Sequence, residues 1–171
     1  MMLTGEAFAD AFGRVREVVR STLDAMSPDD LTRRPADGTN TVAWLVWHLS
    51  RVQDDHLADA FGAEQVWTSQ GWADRFRLPL DPSDTGYGHT PGQVASVRLT
   101  ADQLLAYLEA VHARTTEQLS AVTDPDLDRV VDASYDPPVT LGVRLVSVIS
   151  DDLQHAGQAA YVRGLLAAQG A

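Results

Sequence analysis

Two aspartates and a histidine interrupt an apolar stretch near the end of the sequence. Asp151, Asp152 and His155 lie in the segment ISDDLQHAGQ, residues 149–158, with apolar residues before and after them. Acidic side chains are rarely buried without a partner. On a helix, residues three or four positions apart share one face, so His155 and either aspartate could bind the same cation. The spacing therefore indicates half of a metal site and leaves open which aspartate contributes.

A third ligand has to come from another segment, and His48 is the best candidate. It lies between Trp44, Leu45 and Val52, in the middle of an apolar helix face. A histidine alone in such a place is more often a hydrogen-bonded core residue than a ligand. Two histidines and a carboxylate with one open position, however, are the ligand set of catalytic zinc and of non-haem iron. The alternative is a buried polar network that binds no metal.

Four long helices are predicted to position these residues. Apolar residues recur at steps of three and four in the segments 4–26, 41–62, 101–122 and 140–169. Residues 63–98 have no such period, but their tryptophans and other aromatic residues favour an ordered, packed loop. Residues 123–138 are expected to form an irregular connector. The sequence predicts an all-α protein, an antiparallel four-helix bundle forming a single domain, 1–171, with a long loop after the second helix.

The last helix should turn a wide apolar sector toward the bundle. At 3.6 residues per turn, its apolar residues form two adjacent stripes. They are Val146, Ile149, Leu153, Ala156 and Ala160 in the first, and Leu141, Val148, Ala159, Val162 and Leu166 in the second. His155 and Asp152 fall within this sector and Asp151 at its edge, so the periodicity places Asp152 deeper than Asp151.

Composition limits the kinds of partner that the protein can have. Of the 171 residues, 24 are Asp or Glu and 13 are Lys or Arg, which leaves a formal net charge of −11. This charge repels nucleic acid and anionic membranes, so a small-molecule substrate is the expected partner. With no cysteine in the chain, any metal must be bound by His, Asp, Glu or water. No leader peptide or membrane-length apolar run is evident, so we expect a cytoplasmic protein.

The segments TVAWLVWHLSRVQDDH and SDDLQHAGQAAYVRGLL resemble the DinB/YfiT-like superfamily of candidate metalloenzymes, over nearly the whole chain. That superfamily includes the metal-binding domain of mycothiol-dependent maleylpyruvate isomerase. Its signature is a histidine in the second helix and a His-x-x-x-His-x-Gly-Gln element in the last. His48 matches the first part, and His155 with Gly157 and Gln158 matches the second, whereas Asp151 replaces the element's first histidine. Some relatives have a carboxylate there, so the resemblance implies His48, Asp151 and His155 as metal ligands.

The resemblance also implies a function. The metal would be a divalent ion, with zinc favoured over nickel or iron. The protein would be a metal-dependent hydrolase, or a thiol-dependent transferase or isomerase that uses a small-thiol cosubstrate. The alternative is a non-catalytic bundle that binds a metal or a small ligand and has a stress-linked role. No catalytic residue can be assigned, because His89 in GYGHTPGQV is either part of a turn before a short helix, or a pocket wall or proton shuttle. Relatives are often dimers, so a homodimer packed through residues such as Val162 or Leu165 is a further expectation.

Overall fold

Helices dominate the computed structural model, which describes residues 2–169. In chain order they are α1 (Thr4–Leu23), α2 (Pro28–Thr32), α3 (Val42–Phe61), α4 (Val66–Ser69), α5 (Trp72–Phe76), α6 (Pro91–Ser96), α7 (Ala101–Leu119) and α8 (Leu141–Gln169). Between α7 and α8 lie a 3₁₀ helix, Asp124–Asp128, and two short antiparallel strands, β1 (Val130–Asp132) and β2 (Val139–Thr140). The predicted all-α class is confirmed, and the strands are the part of the connector that periodicity did not predict.

The four long helices α1, α3, α7 and α8 form the predicted four-helix bundle, but not every neighbouring pair in it is antiparallel, as the prediction had it. Each packs against two neighbours, so that α8 lies between α1 and α3. Helices α3 and α8 are antiparallel, because His48 near the start of α3 contacts His155 while His56 near its end contacts Arg144. Helices α1 and α8 run in the same direction, since Arg163 late in α8 donates to backbone carbonyls at the end of α1. The antiparallel α3–α8 pair is what brings the two halves of the site together.

Local signals set the ends of α3 and α7. The Thr41 side chain accepts a hydrogen bond from the Trp44 amide and begins α3, and Gly62 ends it in a left-handed conformation with φ 61°. Thr100 and Gln103 form the capping box that begins α7. Helices α1 and α7 each end three residues earlier than the apolar pattern predicts, at Leu23 and Leu119.

The long connection between α3 and α7 is an ordered layer on the bundle, as predicted, and it contains the three short helices α4–α6. The rings of Trp67, Trp72 and Phe76 pack around Tyr107 of α7, with centroids 5.2, 5.6 and 5.9 Å from it. Burying these large aromatic surfaces stabilises the connection against the bundle.

A buried carboxylate fastens the start of this connection to α3. Asp54 accepts hydrogen bonds from the backbone amides of Val66 and Trp67, at 2.8 and 2.7 Å, and from the Tyr107 hydroxyl at 2.8 Å. The guanidinium of Arg51, which is fully buried, lies 3.8 Å from the same carboxylate. Burial raises the pKa of Asp54, and these donors act in the opposite direction by favouring the ionised form.

The prediction that both apolar stripes of α8 face the bundle is half wrong. The second stripe is buried, but Val146 and Leu153 of the first stripe are 59% and 42% exposed, and Ala160 is exposed as well. Among the long helices within residues 2–169, α8 packs mainly against α1 and α3, so about half of its circumference stays outside the core. Val162, which the sequence analysis named as an exposed residue for a dimer contact, is instead buried within the subunit, and Leu165 is half-buried.

Neither α8 nor any other helix within residues 2–169 combines the length and the apolar character that crossing a membrane would require.

Candidate metal site

His48 of α3 and Asp151 and His155 of α8 meet at one point. Each offers one ligand atom, and the three atoms lie within 4.8 Å of one another. The two imidazole rings have centroids 4.7 Å apart, and the His155 Nε2 atom is 3.6 Å from an Asp151 oxygen. Ligand atoms of tetrahedral zinc, at about 2.0–2.2 Å from the ion, are about 3.3–3.6 Å apart. The cluster thus needs a contraction of about 1.5 Å or less to enclose such an ion.

His48 is held with one ring nitrogen facing the cluster. Its Nδ1 atom contacts the Thr85 backbone carbonyl at 2.5 Å, so the Nδ1–H donates there and Nε2 remains free. The Trp44 ring stacks on the imidazole, with centroids 4.6 Å apart and planes 14° from parallel. The residue is 4% exposed, and this burial lowers the pKa of His48. A neutral imidazole with an oriented Nε2 is the form that binds a metal.

His155 is oriented in the same way. Its Nδ1 atom lies 2.9 Å from the Gln158 amide oxygen, which leaves Nε2 directed toward Asp151. The neighbouring Asp151 carboxylate raises the pKa of His155, and the His155 ring in turn lowers the pKa of Asp151. The second Asp151 oxygen is buried and has no hydrogen-bond partner in the described part of the chain. A cation at the centre of the cluster would supply that partner, so the residues present fit a divalent metal ion.

Asp152 is the deeper of the two aspartates, as the periodicity predicts, and its depth separates it from the cluster. It is 0% exposed, one helical turn from Val148 on one side and Ala156 on the other. Within residues 2–169 neither of its carboxylate oxygens has a hydrogen-bond partner, and burial raises the pKa of Asp152 well above the ordinary value. Asp151 is therefore the carboxylate that the structure places with the two histidines.

His89 holds the loop against α3. Its Nδ1 atom accepts a hydrogen bond from the Trp44 indole at 3.0 Å, and its Nε2 atom lies 2.8 Å from an Asp84 carboxylate oxygen. The side chain is buried, and the short helix α6 follows it, as in the turn interpretation of this segment. With both nitrogens engaged, His89 has no free ring nitrogen to shuttle a proton.

Backbone contacts then carry the loop to His48. The Asp84 carboxylate accepts a hydrogen bond from the Gly86 amide at 3.0 Å, and the Asp84 carbonyl accepts one from the Arg51 Nε atom at 3.2 Å. Gly86 has φ +101°, and a Cβ atom built on it would lie 2.6 Å from the His48 Nδ1 atom. Only glycine allows the backbone to approach His48 this closely. This turn therefore sets the position of the Thr85 carbonyl.

Sequence reasoning missed three groups at the site. The Thr85 carbonyl belongs to the backbone and has no side-chain signal, although the GYG triplet beside it marks an unusual turn. Gln158 was noted only as part of the family element, not as a partner of His155. Tyr87, which is 81% exposed with its ring centroid 6.3 Å from that of His48, forms an open aromatic wall beside the cluster.

Comparisons with known proteins agree with this architecture. Residues 11–159 match the family model of the DinB superfamily. A solved structure, described as the crystal structure of the conserved protein of locus from Enterococcus faecalis, is 33% identical in sequence and superposes with a TM-score of 0.89. The match covers 96% of this chain and 98% of that one. No curated protein matches the sequence.

Proposed function

The chain belongs to the DinB superfamily, and from this we propose that it is a zinc-dependent enzyme whose metal ligands are His48, Asp151 and His155. The observation that carries the proposal is the convergence of three ligand atoms within 4.8 Å. Support comes from the two carbonyl oxygens that engage the Nδ1 atoms of both histidines and leave each Nε2 atom for the ion.

The ligand set is suited to catalysis. Two neutral imidazoles and one carboxylate leave a divalent ion with net positive charge, and three protein ligands leave the fourth tetrahedral position open. When bound, zinc supplies Lewis acidity, which polarises a carbonyl group or lowers the pKa of a water or a thiol. Asp151 and the two histidines would hold the ion, and the exposed Tyr87 ring would contact a small-molecule substrate beside it.

Two reaction classes use this chemistry, hydrolysis and thiol-dependent transfer or isomerisation. Because the chain has no cysteine, the thiol of the second class has to belong to a small cosubstrate. The chain's own residues then act by binding the ion, orienting the substrate and shielding one side of the site through the stacked Trp44 ring.

Metal content tests the ligand assignment. We expect about one zinc per chain in the purified wild-type protein, and loss of that zinc in the His48→Ala and His155→Ala variants. The matched control is His112→Ala, because His112 is a half-buried histidine on α7, outside the cluster. Zinc well below one per chain in the wild type, or zinc retained by both ligand variants, would refute the assignment.

Turnover tests the enzymatic proposal. The zinc-loaded protein should act on at least one member of a panel of thiol conjugates, small amides and small esters. That activity should disappear on chelation, return when zinc is restored, and be absent from the His155→Ala variant. Activity that survives chelation would contradict a metal-dependent mechanism.

A non-catalytic metal-binding or ligand-binding role is the second candidate. It is favoured by the engagement of both ring nitrogens of His89, which removes the one general base that the sequence suggested. Stoichiometric zinc that depends on His48 and His155, together with no turnover of any panel compound, would favour this role over the enzyme.

A further inference from the structure

A cleft of about 510 Å³ opens where the end of α3 faces the start of α8 and the hairpin formed by β1 and β2. Its titratable lining residues are Asp55, His56, Asp59, Asp132, Tyr135 and Arg144. Ligand pockets commonly have volumes of about 300–1,000 Å³, so the cleft is large enough for a small organic molecule. None of these residues belongs to the candidate metal cluster.

The cleft continues the face of α3 and α8 that carries the candidate metal site. Asp55 and Asp59 follow His48 by seven and eleven residues, which keeps all three on one stripe of α3. Arg144 likewise precedes Asp151 by seven residues of α8. At 1.5 Å per residue, seven residues separate the metal cluster from the cleft by about 10.5 Å along the helices. A molecule of that length can occupy both places at once.

The guanidinium of Arg144 is already engaged by the protein. Its Nη1 atom donates a hydrogen bond to the His56 Nδ1 atom at 2.7 Å, and its Nη2 atom donates to an Asp132 carboxylate oxygen at 3.2 Å. The side chains of Arg144 and Asp132 are only 13% and 25% exposed, so water screens this pair incompletely. Arg144 and Asp132 therefore neutralise each other.

Two carboxylates of the cleft are left without a cation. Neither Asp55 nor Asp59 forms an ion pair within residues 2–169. Asp59 is exposed, and Asp55 uses one oxygen to accept a hydrogen bond from the Gln65 side-chain amide at 2.7 Å. Three carboxylates and one guanidinium give the cleft a net charge of −2 when His56 is neutral. This charge attracts cationic ligands and repels anionic ones.

His56 adds a hydrogen-bond donor beside these carboxylates. Because a guanidinium can only donate, the His56 Nδ1 atom accepts from Arg144, and the hydrogen of the neutral imidazole is on Nε2. Burial, and then the positive charge of Arg144, lower the pKa of His56, which keeps the ring neutral at pH 7. The cleft therefore offers an N–H group for an oxygen next to carboxylates for an ammonium group.

An organic cation suits the cleft better than a metal ion does. Among the side chains of residues 2–169, only His48, Asp151 and His155 converge as a group of three or more possible metal ligands. The carboxylates of the cleft are more dispersed, and a larger cation can contact them separately. Tyr135, which is 63% exposed, adds an aromatic surface, and aromatic faces attract cations.

We propose that the cleft binds the amino-alcohol end of a substrate whose other end reacts at the metal site. Asp55 and Asp59 contact the ammonium group, and His56 donates a hydrogen bond to the neighbouring oxygen. The inference rests on the proposed function, because it assigns to the same site a substrate with a positively charged amine about 10 Å from its reacting group.

An NMR titration tests the cleft without involving the metal. The probes 2-aminoethanol, ethylene glycol and glycolate are similar in size and differ in the charge of one end. We expect 2-aminoethanol to shift the backbone amide signals of residues 55–65 and 132–135, and to bind at least about fivefold more tightly than the other two. Equal affinity for 2-aminoethanol and ethylene glycol, or shifts centred elsewhere, would overturn the proposal.

A pair of charge variants tests which carboxylates bind the amine. The double variant Asp55→Asn/Asp59→Asn should lose the preference for 2-aminoethanol. The matched control is Asp29→Asn/Asp37→Asn, which changes the net charge equally at two exposed positions that precede α3, whereas the cleft lies at the end of that helix. The control should bind 2-aminoethanol as the wild type does. A preference that survives in the cleft variant would overturn the assignment.

Long thiols test the link between the cleft and the metal site. An extended chain gains about 3.3–3.6 Å for every three bonds, so 8-amino-1-octanethiol spans about 10–11 Å from sulfur to nitrogen. In calorimetric titration the zinc-loaded protein should bind it about 10-fold more tightly than 8-mercapto-1-octanol, because two partly exposed ion pairs contribute up to about fivefold each. The shorter 2-aminoethanethiol cannot reach the cleft and should have no such advantage over 2-mercaptoethanol.

The two titrations separate failure of this inference from failure of the proposed function. Equal affinity of the two long thiols for the zinc-loaded protein would overturn the link between the cleft and the metal site. A protein that binds no zinc but still prefers 2-aminoethanol would refute the proposed function and support the cleft as an amine site.

Discussion

Replacing Gly86 with alanine tests whether the loop controls the metal site. The added Cβ atom would lie 2.6 Å from the His48 Nδ1 atom and 3.2 Å from atoms of the Trp44 and Trp47 rings. Contacts this short require either the imidazole or the Gly86 backbone to move. Either movement separates the Thr85 carbonyl from His48, and His48 would lose the hydrogen bond that leaves its Nε2 atom facing Asp151 and His155.

Gly88 offers a matched control for the magnitude of this effect. It also has a positive φ, +69°, but a Cβ atom added there would meet nothing within 4 Å. Backbone strain alone should destabilise the Gly88→Ala variant by about 1–2 kcal/mol. Gly86→Ala should add the loss of a buried hydrogen bond, about 1–3 kcal/mol, and therefore reduce the free energy of unfolding by about 2–5 kcal/mol. Loss of a group that orients a metal-binding histidine typically weakens metal affinity about 10–100-fold.

Two measurements separate strain from the effect on the site. Urea unfolding followed by tryptophan fluorescence gives the free energy of unfolding, and competition with a chromophoric chelator gives zinc affinity. Gly88→Ala should bind zinc as the wild type does, and Gly86→Ala should bind it about 10–100-fold more weakly while still folded. If the two variants bound zinc equally well, the Thr85 carbonyl would have no role in orienting His48.

Three further outcomes follow from buried and titrating groups. Zinc affinity should fall as the pH drops through the pKa of His155, because a proton then competes with the ion for Nε2; Asp151 raises that pKa above its ordinary value. Isothermal titration at several pH values measures this effect, and a pH-independent affinity would contradict it. Asp152→Asn should raise stability at neutral pH by about 1–3 kcal/mol. The pKa of Asp152 is raised in the folded state, so ionising this carboxylate costs the protein stability as the pH rises from the unfolded-state pKa through the folded-state pKa. Thermal unfolding should therefore show the stability gain of Asp152→Asn shrinking toward pH 4. A gain that stays constant with pH would exclude this cause. Asp54→Ala should lower the free energy of unfolding, measured with urea, by about 3–5 kcal/mol, because it leaves three buried donors and Arg51 without their acceptor. A loss below about 1 kcal/mol would show that water replaces the carboxylate.

The apolar period was enough to locate the long helices, and the side-chain spacing was enough to put His155 and an aspartate on one face of the last helix, with His48 as a candidate third ligand. Both signals are local: a helix face repeats every 3.6 residues, and residues four apart are neighbours on any helix. The capping residues at Thr100 and Gln103 are local for the same reason. The family resemblance added the choice of Asp151, which periodicity alone assigned to the edge of the apolar sector.

Tertiary structure decided which faces are covered and which backbone groups meet the site. A helical wheel cannot tell how many neighbours a helix has, so it placed Val146, Leu153 and Ala160 in the core, although among the long helices α8 packs mainly against α1 and α3. The Thr85 carbonyl reaches His48 because two residues of α3, Arg51 and Trp44, hold the loop in place through hydrogen bonds to the Asp84 carbonyl and to His89. The sequence by itself therefore determined the helices and the ligand types, and the packing of the loop and of α8 determined how those ligands are oriented and which surface remains free.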